Sequence, residues 1–66
     1  MHQYLVVFNG YGERNSVYPQ QEIVLQLRHD WSKNVTEASN VLDLVHLEIK
    51  KHFQRYKLIS VEEIAR

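Results

Sequence analysis

Four histidines, His2, His29, His46 and His52, are the side chains here with the widest chemical range. A zinc site wants two imidazoles one helical turn apart or close together in a loop, so that both converge on one ion. His46 and His52 lie six residues apart, on different faces of any helix that carries both, and His29-Asp30 offers only two adjacent donors. No pair has ligand spacing, so no metal and no cofactor is expected.

Phosphate and nucleophile chemistry fare no better. The "NGYGERN" stretch holds one G-x-G, without a third glycine, a lysine or a following helix to aim backbone N–H groups at an anion. A long hairpin turn is the expectation, with Gly10 and Gly12 taking positive φ. Ser16, Ser32, Ser39 and Ser60 have no base and orienting group spaced around them. Glu62 and Glu63 would point to opposite faces of a strand. Catalysis is not expected.

Two surfaces suit recognition instead. The loop carries Tyr11, Glu13, Arg14, Asn15 and Tyr18, and tyrosine and arginine are enriched at protein contacts. Lys50, Lys51, Arg55 and Lys57, interleaved with His52, Phe53 and Tyr56, could instead meet phosphates and stack on bases. Phe53 and Tyr56 also fit a helix core stripe, and cations at a helix C-terminus complement its dipole, so nucleic acid is the alternative reading.

The elements that must position these residues begin with "QYLVVFN", an apolar strand. Tyr4, Val6 and Phe8 share one face and Leu5 and Val7 the other. In "EIVLQLRH", Ile23, Leu25 and Leu27 alternate with polar neighbours, which is the period of a half-buried strand. Trp31 and a polar, cap-rich stretch follow, with Asn34 and Glu37 at capping-box spacing and Thr36 a rival cap. From Glu37 to Lys57 the pattern predicts a helix of about five turns, with Ala38, Val41, Leu42, Val45, Ile49, Phe53 and Tyr56 on one stripe. Leu44 and Leu47 fall on the opposite flank. Residues 58–64 fit a third strand, since Ile59 and Val61 are β-branched, or a short capped helix; the strand is preferred.

The architecture predicted is a single α+β domain over residues 1–66, β-β-α-β, with a three-stranded antiparallel sheet of order 2-1-3. One long helix covers one face only. The core is expected to join Val45, Ile49 and Phe53 to Leu5, Val7, Ile23 and Leu25. Tyr4, Val6, Phe8 and Val24 would then line the uncovered face, where another protein or a second copy docks.

Composition supports association. Sixty-six residues bury little surface, and small scaffolds need a staple. There is no cysteine to supply a disulfide or a thiolate metal site. Eight basic and eight acidic residues cancel, which gives no net field for a polyanion. No apolar run is long enough to span a membrane, and no signal-peptide pattern opens the chain, so a cytoplasmic protein is expected.

The "MHQYLVVFNGYG" start, the mid-chain "VLDLVHLEIKKHF" and the "LISVEEIAR" ending together resemble small accessory proteins encoded by phages and prophages. The likeness is one of overall pattern over most of the length. It implies a non-enzymatic protein that occludes the surface of a host or phage protein, an inhibitor for example. The reading is therefore a small, homodimeric protein-binding module, with Tyr11, Arg14, Tyr18, Trp31, Tyr4, Val6 and Phe8 as its contact residues.

Overall fold

The computed structural model describes residues 1–65, the side chain of Ala65 excepted. Strand β1 (His2–Tyr11) turns through a short 3-10 segment (Glu13–Asn15) into β2 (Val17–Leu27). Helix α1 (Val35–Lys50) follows, then strand β3 (Arg55–Ala65). The sheet is antiparallel with β1 in the middle, in the order β2-β1-β3, and α1 lies on one face. This is the predicted architecture. Among the described residues no helix is long and apolar enough to cross a membrane.

The two faces of β1 are the reverse of those expected. Tyr4 pairs with Leu25 and Val6 with Ile23, so even-numbered β1 residues share a face with odd-numbered β2 residues. A one-residue change of register exchanges the faces of a strand. Tyr4, Val6 and Phe8 are therefore the buried core beneath Val41, Val45 and Ile49. Ile23, Leu25, Leu27, Leu58 and Val61 pack around them. Leu5 and Val7 point the other way. Burying Tyr4 and Phe8 is the better solution, because an aromatic ring removes more apolar surface from water than a leucine or valine does.

The helix is also shorter than its apolar stripe implied. Asn34 is the N-cap, accepting a hydrogen bond from the Glu37 N–H at 2.8 Å, and the helix ends at Lys50 rather than Lys57. Thr36 lies inside the first turn. Phe53 and Tyr56 continue a helical spacing, yet Arg55-Tyr56-Lys57-Leu58 alternates polar and apolar equally well, and the chain takes the strand. Strand pairing along all of β1 satisfies more backbone groups than two further helical turns ending in solvent would. Phe53 sits in the turn between α1 and β3 and packs edge-on against Phe8, with centroids 5.7 Å apart. Of the flanking leucines, Leu44 is half-buried and Leu47 exposed.

Neither glycine takes positive φ; Arg14, Asn15 and Gln20 do. Gly10 is instead a matter of space: a Cβ there would stand 2.5 Å from the Phe53 ring. Gln20 occupies the irregularity in the β1–β2 ladder between Phe8 and Gly10, where its N–H donates to Asn9 Oδ1 at 2.8 Å. A bulge of this kind is what shifts register.

Candidate protein-docking surface

Among the described residues, no element lies over the face of the sheet away from α1. Its centre is Leu5 and Val7 on β1, with Val24 opposite Leu5 on β2. Strand β3 adds to it through two bulges. Ser60 pairs with Val7 and Leu58 with Phe8, which leaves Ile59 without a partner in β1; Ile64 is passed over in the same way between Glu63 and Ala65. Leu58 and Val61 both belong to the covered face, so Ile59 and Ser60 between them lie on the open side. Val24 is 56% exposed and Ile59 50%. Isolated exposed aliphatics are ordinary, but this group is contiguous across three strands.

Polar residues frame the patch. Glu22 stands opposite Val7, Gln26 opposite Gln3, Glu62 opposite Leu5 and Lys57 opposite Asn9, and Glu22, Gln26, Glu62 and Lys57 are exposed. An apolar centre with a charged rim is the composition of a protein contact.

The hairpin tip forms a second exposed region. Arg14 and Asn15 hold left-handed backbone at φ 56° and 62°. Asparagine tolerates this conformation, whereas arginine adopts it at a cost of about 1–2 kcal/mol. Ser16 caps the turn, its Oγ donating to the Glu13 carbonyl at 2.7 Å. Tyr18 packs against Phe53, and Tyr11 lines a cleft of about 370 Å³ with Glu13, His52, Phe53 and Arg55. Tyr11, Arg14 and Tyr18 thus lie at one end of the molecule, but Tyr11 ends β1 and Tyr18 belongs to β2, so the turn is shorter than the long loop expected.

Trp31, Tyr4, Val6 and Phe8 do not present a surface. Trp31 plugs the far end of the core, its ring edge-on to Tyr4 at 5.9 Å. Its backbone N–H donates to the Tyr4 hydroxyl at 3.2 Å, and that hydroxyl donates to the His29 carbonyl at 2.6 Å. Close by, His29 Nδ1 lies 3.0 Å from Glu37 Oε2, which also accepts from the Asp30 N–H at 3.1 Å. Glu37 is therefore turned towards the β2–α1 loop instead of closing a capping box. On the sheet side His2 Nδ1 meets Glu63 Oε2 at 2.7 Å.

His2, Asp30 and Glu63 bring one potential ligand atom each within 4.8 Å of one another. Sequence spacing could not reveal this grouping, because its members come from β1, a loop and β3. The hydrogen bonds of His2 to Glu63, and of Ser32 N–H and Oγ–H to Asp30 Oδ1, account for the geometry as closure of the domain end.

Burial raises the pKa of the Tyr4 phenol above its ordinary 10.0. The Trp31 N–H opposes that shift, and Glu63, Asp30 and Glu37 add to it. Folding therefore favours the protonated phenol. The associated stability is complete below pH 10 and is lost as pH rises through the raised pKa. Tyr4→Phe should cost about 1–3 kcal/mol at neutral pH, because the Trp31 N–H and the His29 carbonyl lose their partner. Urea titrations at neutral pH and above pH 10 should show that cost shrinking as the wild-type phenol ionises.

The basic residues are dispersed. Lys51 pairs with Glu48 at 3.1 Å on the helix, and Arg55 donates to the Gly12 carbonyl at 3.3 Å. Lys57 lies on the open face of β3, away from Lys50 on α1. The chain matches no protein-family model, no curated protein and no solved structure.

Proposed function

We propose that this protein is a small, non-catalytic protein-binding module that acts by occluding a partner's surface, with the open face of its sheet as the principal contact. The observation that supports this is the contiguous apolar patch of Leu5, Val7, Val24 and Ile59 inside a polar rim. A fold this small has one helix to cover a sheet, so the second face is available for association. The hairpin tip, where Arg14 is held in a costly conformation, is the secondary contact; strained residues concentrate where a surface is used. An inhibitor or accessory protein of the kind found in phages would work in this way.

Val24→Glu tests the reading, because Val24 is exposed and its replacement leaves the core intact. A protein captured by the wild type should be lost by this variant, with affinity falling at least about tenfold and the melting curve little changed. Retention of the partner by Val24→Glu would remove the open face from the account. Steep salt-dependent binding to mixed oligonucleotides that fails on changing Lys50 and Lys57 to glutamine would favour nucleic acid instead.

A further inference from the structure

We infer that the open face is self-complementary, and that its occupant is a second copy of this chain, packed about a two-fold axis that runs across the strands. The inference rests on the reading of this face as a docking surface and names the partner. Three strands about 4.8 Å apart and ten residues rising about 3.4 Å each make a face of roughly 34 by 14 Å, about 480 Å². Two such faces together bury roughly 950 Å², below the size of stable interfaces and within the range of weak, reversible ones. The free chain exposes 4841 Å², against about 4,400 Å² for a compact monomer of its 7.9 kDa mass. The excess of about 400 Å² follows from an elongated shape, 41 × 19 × 16 Å, which spreads the sheet into a long face.

Charge placement selects the symmetry. On β3, Lys57 stands at the level of Asn9 and Glu62 at the level of Leu5, on either side of Val7 and Ser60. A two-fold axis across the strands at the level of Val7 sets β3 over its own copy, antiparallel. Lys57 of each chain then faces Glu62 of the other, twice by symmetry, against a single like-charge approach of Glu22, which stands opposite Val7 on β2, to its own copy. An axis along the strands instead places β3 over β2, where Glu62 meets the level of Val24 and finds no cation. Among the described residues neither Lys57 nor Glu62 is in an ion pair within its own chain. The chain's zero net charge adds no long-range repulsion to the encounter.

The test is sedimentation equilibrium on the wild type, Val24→Glu, Lys57→Glu, Glu62→Lys and the Lys57→Glu/Glu62→Lys pair, with circular dichroism confirming each fold. The wild type should dimerise in the micromolar range. Each single charge reversal puts like charges together twice and should weaken the dimer at least about tenfold, while the double reversal returns to within about threefold of wild type. Val24→Glu should be monomeric. A wild type that stays monomeric to about 1 mM overturns the self-association, as does a dimer indifferent to Val24→Glu or a double reversal no better than the singles. If the wild type is monomeric but Val24→Glu still loses a captured protein, the docking surface stands and only its self-partner fails. If Val24→Glu changes neither, both fail.

Discussion

Phe8→Ala should remove most of the stability of this domain. Phe8 is 2% exposed on the central strand, beneath α1 and edge-on to Phe53. Phenylalanine-to-alanine changes in cores cost about 3–5 kcal/mol, the lost transfer energy plus the cavity left behind. At about 0.05–0.15 kcal/mol per residue, a chain of this length has roughly 3–10 kcal/mol in all. Among the described residues the core has six fully buried side chains, so there is little around the cavity to collapse into it. Urea denaturation followed by circular dichroism should show the midpoint collapse or the transition vanish. A loss below about 1 kcal/mol would mean that Phe8 is not covered by the helix.

Gly10→Ala should be the second costly change, although it adds a single methyl group. The new Cβ would meet three ring carbons of Phe53 at 2.5, 2.6 and 2.7 Å, closer than atoms can approach. The ring stands between Phe8 and Tyr18, with centroids 5.7 and 5.6 Å away, so moving it disturbs both contacts. Overpacking of this kind costs about 1–3 kcal/mol. In a Phe53→Ala background the obstruction is gone, and the same substitution should be neutral or slightly stabilising, because alanine restricts the unfolded chain more than glycine does. Equal costs in the two backgrounds would show that Gly10 serves the backbone instead of making room for the ring.

The strands, the helix and the central place of β1 were legible because each rests on local pattern: alternation in residues 22–28, the Asn34 cap, and the apolar density of residues 4–8. Which face of β1 is buried was not. The face depends on the register of β1 against β2, and that is set by the irregularity at Phe8/Gly10 and the positive φ of Gln20. Nothing in the polar "YPQQE" run announces a bulge. The end of the helix was hidden because Phe53 and Tyr56 satisfy both a helical and an alternating period. Of the candidate contact residues, Tyr11, Arg14 and Tyr18 were chosen from composition; only Arg14 lies in the turn, while Tyr11 is half-buried at the end of β1 and Tyr18 exposed in β2. Tyr4, Val6 and Phe8 were misplaced with the register, while Leu5, Val7 and Ile59 could emerge only once the ladder and its bulges were known. Trp31 became a core plug through Tyr4, a residue 27 positions away in sequence.

Two copies of the chain should meet through the open face, and not through the exposed side of the helix. Methyl-resolved NMR across a dilution series from about 1 mM to about 10 μM addresses it directly, because it reports which side chains change environment on association in that range. The methyls of Leu5, Val7, Val24 and Ile59 should shift together with concentration, while those of Val41, Val45 and Ile49 in the core stay fixed. Shifts confined to Leu42 and Leu47 on the helix, or no shift at any position, would contradict self-association through this face.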